Sequence, residues 1–173
     1  MLKVRVPSEP LMCYHLFLFY SFRTRYPLYF HLAYNITYCI GDGVADDTAA
    51  FQNVMNQYAN TDKVIFIDAG SYILTDTITI PPGAKIVGEC WAQLVAMGSK
   101  FNDANNPRPL LRVGAAGSTG SMEIQDLLFT SKVETAGLVM VEWNIKGSSL
   151  GSAAMWGRNS HLHFKFQMQH ALI

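Results

Sequence analysis

Cysteine is scarce in this 173-residue chain. There are three, at Cys13, Cys39 and Cys90, an odd and scattered set that excludes a disulfide framework. No C-x-x-C pair is present to suggest a zinc site. Charge of one sign is missing too: Lys+Arg is 13 and Asp+Glu is 13. Without a basic surplus, the chain is not built to neutralise the phosphates of a nucleic acid. Charged residues make up only 15% while hydrophobic residues make up 50%, which excludes a disordered chain and leaves enough apolar material for a core. No apolar run reaches the roughly 20 residues that a bilayer-spanning helix needs. The run LMCYHLFLFY at residues 11–20 stops at ten. A membrane or nucleic-acid partner is therefore not expected, and 173 residues is one domain's worth.

Residues 1–40 differ in composition from the rest. They are crowded with Tyr and Phe and hold a single acid, Glu9, and neither a helical nor a strand period runs through them. Lys3 and Arg5 followed by the apolar run have the outline of a secretory leader. Arg23, Arg25 and Pro27 come next, with no small-x-small cleavage site. The expectation is a non-homologous segment, for example from a mis-joined or early-started reading frame.

From Gly41 the pattern changes. Gly41, Asp42 and Gly43 mark a turn. Asp46 or Asp47 stands where a helix N-cap belongs, its carboxylate expected to accept the free N–H groups of the first turn. Ala50, Phe51, Val54, Met55 and Tyr58 then fall on one stripe of a helix over residues 48–58. Short β-rich segments follow at 64–67, 73–80, 85–88, 93–97, 110–113, 122–129 and 138–143, bounded by Gly, Pro, Asn and Ser. Pro81, Pro82 and Gly83 set a tight corner. No second long helical pattern intervenes, so βαβ units are not expected. A β-sandwich and a parallel β-helix both fit, and periodicity does not choose between them.

A set of motifs does choose. GDGVADDTAAFQ at residues 41–52 resembles the opening of pectate-lyase-like β-helix proteins. IVGECW at 86–91, FND at 101–103, Asn106, Pro107, Pro109, Val113 and Gly114 follow in order, then EIQDLLF at 123–129 and AGLVMVEWN at 136–144. The series is similar to the second of the two β-helix modules of fungal exo-β-1,3-glucanases, glycoside hydrolase family 55. The resemblance implies an all-β fold: a right-handed parallel β-helix, partial in extent, with a short N-terminal helix capping the first coil. It covers residues 41–156 and leaves 1–40 and 157–173 outside as foreign ends. It further implies a secreted, inverting hydrolase of β-1,3-glucan, without a cofactor. The first module and the later coils that carry the general acid would be missing, so the chain alone is expected to be inactive.

Glycoside hydrolysis generally needs a general acid and a partner that acts as base or nucleophile, most often two carboxyl groups. Within 41–156 the acids are Asp42, Asp46, Asp47, Asp62, Asp68, Asp76, Glu89, Asp103, Glu123, Asp126, Glu134 and Glu142. Asp46 and Asp47 read as helix caps. Asp68, Asp76 and Asp103 read as turns or water-facing positions, and Glu123 and Asp126 as a coil corner. No catalytic residue is assigned. Glu142 beside Trp143 is the carbohydrate-binding candidate, since an acid can bond sugar hydroxyls while a ring packs on the sugar face. Counting from Asp42, the third, fifth and twelfth positions are Val44, Asp46 and Asn53, which is not a calcium loop. His161, His163 and His170 lack a matching Cys or carboxylate spacing. The Gly-rich stretch 114–120 lacks the Lys of a phosphate loop and reads as a surface loop.

Overall fold

The computed structural model describes residues 39–89, 92–132, 134–157 and the backbone of 166–168. Among the described residues fourteen short strands alternate with turns, and every strand pairing is parallel. Three four-stranded sheets form the sides of a stack of coils. Sheet one holds β1 (Asp42–Asp46), β3 (Ser71–Leu74), β6 (Gln93–Ala96) and β10 (Leu128–Ser131). Sheet two holds β4 (Ile78–Ile80), β7 (Arg108–Val113), β11 (Leu138–Trp143) and β14 (Phe166–Met168). Sheet three holds β2 (Ile65–Ile67), β5 (Lys85–Gly88), β9 (Met122–Gln125) and β13 (Ala153–Trp156). The two-residue strands β8 (Thr119–Gly120) and β12 (Lys146–Gly147) pair at a further edge. The chain visits sheets one, two and three in turn and then repeats, so each strand pairs with its counterpart one coil away. This is a partial parallel β-helix, as the motifs imply, and not a sandwich.

Register turns each sheet's inner face into rows of like residues. Ile65, Ile86, Ile124 and Met155 stack on sheet three, and Tyr72, Leu94 and Phe129 on sheet one. The rows meet in one apolar core along the coil axis. Each such side chain, fully buried, contributes about 1.5–3 kcal/mol.

The expected helix forms where it was read, α1 (Thr48–Tyr58), with Phe51, Val54, Met55 and Tyr58 buried. It occupies the place of a sheet-two strand in the first coil, lying against β4. Phe51 meets Tyr72 edge-on, their centroids 6.2 Å apart. The Gln52 side chain acts as a substitute strand. Its Nε2 donates to the Thr79 carbonyl (2.9 Å) and its Oε1 accepts from the Thr79 N–H (2.8 Å). The first edge of sheet two is thereby closed by one amide, which answers the exposed-edge problem of any sheet. Replacing Gln52 by Ala leaves both Thr79 groups without that partner. The expected loss is about 1–2 kcal/mol, read as a lower urea midpoint. Gln52→Glu should recover only part of it, because a carboxylate accepts from the N–H but repels the carbonyl.

Several details differ from the sequence reading. Asp47 is the N-cap residue, but its side chain makes no cap hydrogen bond. Its carboxylate instead accepts from the N–H groups of Ile40 (2.6 Å) and Gly41 (3.1 Å), fixing the entry of the chain. Asp46 takes the Thr48 N–H (3.0 Å) and the Thr75 hydroxyl (2.8 Å), tying the helix start to the second coil. Residues 73–80 are two strands with a bend at Thr75–Thr77 between them, and 122–129 are two strands separated by Asp126, whose φ is 53°. The GDG turn runs straight into β1, and β13 and β14 extend the stack beyond the last segment read as a strand. The Pro81–Gly83 corner stands, with Gly83 at φ 91° donating to the Ser121 carbonyl (2.7 Å).

Candidate functional site

Glu142 and Trp143 are consecutive in β11, so they face opposite sides of the sheet. Trp143 packs against the apolar core, and its indole N–H donates to the Ile145 carbonyl (3.0 Å). Glu142 points outward. It lies in register with Arg112 of the preceding coil, whose Nε donates to Glu142 Oε1 (3.1 Å). The Asn144 amide donates to the same oxygen (2.7 Å) and reaches the Gly114 carbonyl (3.2 Å). Asn144 is buried, at 2% exposure, and its Oδ1 has no hydrogen-bond partner. The site is thus a carboxylate held from two sides, with a guanidinium at its rim. The Glu142 side chain is 18% exposed and that of Arg112 43%. Sequence reading missed Arg112 and Asn144. Arg112 lies thirty residues from Glu142, and only coil register joins them.

Burial alone would raise the Glu142 carboxyl, but the Asn144 and Arg112 bonds overcome it and hold the group below its ordinary value. Glu142 is therefore an acceptor and not a proton donor at neutral pH. A group with a depressed folded pKa stabilises the fold above its unfolded value, and that stability disappears as pH falls through the folded one. Glu142→Gln should be less stable than the parent at about pH 7, with the gap closing as pH falls below the ordinary glutamate range and through the depressed folded pKa. Urea unfolding across that range measures it.

Several of the other acids are occupied by the backbone or by ion pairs. Asp42 Oδ1 accepts from Val44 N–H and Ala45 N–H (2.8 Å each). Asp76 pairs with Lys100 and with Arg108 (3.3 Å), and its carboxyl stays low because these bonds outweigh its burial. Asp126 goes the other way, its carboxyl raised by burial at the corner between sheets three and one. Glu142 lies on the outer face of sheet two, so these two do not face a common sugar as a catalytic pair must. Among the described residues no group of three His, Cys, Asp or Glu could hold a metal ion, and no helix is long and apolar enough to cross a membrane. His161, His163 and His170 lie outside the described residues. Cys39 is buried, which pushes its thiol up to about 12 and keeps it unreactive.

A family model described as "Rhamnogalacturonase A/epimerase, pectate lyase-like" matches residues 39–106. A protein of Arthroderma benhamiae named "Probable glucan endo-1,3-beta-glucosidase" is 40% identical over 125 residues, which is 72% of this chain and 14% of the relative. The "Glucan 1,3-beta-glucosidase" of Cochliobolus carbonum is 39% identical over 116 residues, 67% of this chain and 14% of the relative. A protein of Penicillium expansum named "Non-secreted LysM effector LysM19" is 46% identical over 116 residues, 67% of this chain and 9% of the relative. The chain thus spans a small part of the length of the curated relatives it matches. Stacked parallel coils, the helix that seals them and these identities place the chain in the pectate-lyase-like β-helix family, with the fungal glucan 1,3-β-glucosidases.

Proposed function

We propose that the chain is part of a β-1,3-glucan-directed glycoside hydrolase, and that these coils contribute sugar contact and scaffold rather than the catalytic acid. The observation that carries this reading is the 40% identity to a protein named as a glucan endo-1,3-beta-glucosidase. The state of Glu142 supports the division of labour. Held ionised by Arg112 and Asn144, it can accept hydrogen bonds from sugar hydroxyls while the exposed guanidinium donates to others. Trp143, on the inner face, fixes the strand end that presents Glu142. The natural setting would be extracellular, where glucan is met, with a further β-helix module completing the cleft.

Affinity electrophoresis in gels containing laminarin, a soluble β-1,3-glucan, tests this. The purified chain should be retarded without hydrolysing the polymer. Glu142→Ala should weaken retardation about tenfold, the worth of one charge-assisted hydrogen bond. Laminarin hydrolysis by the chain alone, or unchanged mobility of Glu142→Ala, would overturn the reading. A non-catalytic carbohydrate-binding role is the second reading, favoured by the 46% identity to a protein named as an effector and not as an enzyme. A pectin-directed role follows from the name of the matching family model, and retardation by polygalacturonate in place of laminarin would favour it.

A further inference from the structure

The outer face of sheet three has a composition that its place away from the core does not call for. Its inner positions feed the core, with Ile65, Ile86 and Ile124 at most 5% exposed. The alternate positions point away from the core, and pairing sets Phe66, Val87, Gln125 and Trp156 side by side in one row. All four are half-buried, and Phe66, Val87 and Trp156 are not among the apolar side chains packed on the core. Three of the four are apolar, and the row begins and ends with an aromatic ring. Three strand spacings separate the rings, about 14 Å. The neighbouring outward row sets Lys85 beside Glu123 in register, so the face carries opposite charges together and no field of one sign.

We propose that this row is a platform for a neutral glucan chain running along the coil axis, separate from the Glu142 site on sheet two. Aromatic rings at fixed separation suit the apolar faces of two sugars some units apart. The Gln125 amide between them can donate to and accept from hydroxyls. Paired charges in the next row offer nothing to a polyanion such as pectate or nucleic acid. The backbone holds the row rigidly: Trp156 pairs with Gln125, and its carbonyl accepts from the Asp126 N–H (3.1 Å). Preorganised contacts on strands cost little ordering on binding. The linkage assigned, β-1,3, rests on the proposed function above, whereas the platform itself does not.

The test is affinity electrophoresis of the full chain in laminarin and, separately, in hydroxyethylcellulose, a soluble β-1,4-glucan, with Phe66→Ala, Trp156→Ala and Glu142→Ala compared. Phe66→Ala and Trp156→Ala should each weaken retardation about fivefold, while Phe66→Tyr and Trp156→Phe keep most of it. Circular dichroism melting identifies any variant that fails to fold, and the conservative pair then decides. Retardation by hydroxyethylcellulose alone, lost in the two Ala variants, supports the platform while sinking the β-1,3 assignment. Loss in Glu142→Ala with unchanged mobility of both aromatic variants overturns the platform and leaves the proposed function standing. No retardation of the parent chain in either gel overturns the platform as well. A chain that sediments as a dimer, becomes monomeric on Phe66→Ala and keeps its laminarin mobility would make the face a contact between copies and overturn the inference.

Discussion

Replacing Phe51 by Asp should abolish cooperative unfolding of the coils. The ring is 1% exposed and sits edge-on to Tyr72 at the point where α1 closes the first coil. Removing a buried Phe side chain costs about 3–5 kcal/mol, and a carboxylate in its place adds the expense of a polar group buried without a partner. Against a total stability of about 5–15 kcal/mol for a domain, that is enough to unfold it. Thermal melting followed by circular dichroism should show no transition for Phe51→Asp. Phe51→Leu should melt cooperatively at a reduced temperature. A melting curve for Phe51→Asp like that of the parent would remove α1 from its role as the seal.

Gly137→Ala should be the most damaging single-methyl addition. A Cβ there would collide with the backbone carbonyl of Asp103, with that carbonyl carbon at 2.6 Å. Backbone cannot step aside here, because Gly137 is bonded on both sides. Its N–H donates to the Phe101 carbonyl (2.9 Å), and its carbonyl accepts from the Arg108 N–H (2.8 Å). Overpacking against fixed atoms costs about 3 kcal/mol. Gly117→Ala supplies the control, since nothing lies within 4 Å of the added carbon there. Its φ of 77° leaves only backbone strain of about 1–2 kcal/mol. Guanidinium unfolding of the two variants separates collision from strain, and equal losses would refute the collision.

The legible and illegible parts of this chain divide along physical lines. The helix was legible because its stripe is local: Phe51, Val54, Met55 and Tyr58 recur at helical spacing within eleven residues. Most strands were legible because short β-branched runs ended in turn residues. The bend at Thr75–Thr77 was not, and Asp126 reads as a coil corner yet falls inside one strand segment over 122–129. Alternation of Thr and Ile continues through the first, and Asp126 adopts its positive φ where Gly88 and Gly157 crowd in from the adjoining coils. The Asp47 carboxylate was assigned to the helix ahead of it, yet it turns back to Ile40 and Gly41. A composition pattern reports that such a group needs N–H donors, not which ones it reaches. The pairing of Glu142 with Trp143 rested on adjacency, and in a strand neighbours face apart. Arg112, which with Asn144 holds the Glu142 carboxyl low, is legible only once the coil length is known.

The amide of Gln52 on Thr79 makes the two directions along the stack unequal. Each rung joins residues a single coil apart, as Ser71 joins Gln93 and Gln93 joins Leu128, so the entropy of closing a rung changes little with height. What changes is the surface on which the rung forms. Among the described residues the sheet-two side of the first coil is closed by its own helix, while every later coil finds a ready edge on the one before it. Assembly should therefore proceed like crystal growth from a seed, and translation delivers the seed before the layers it will template.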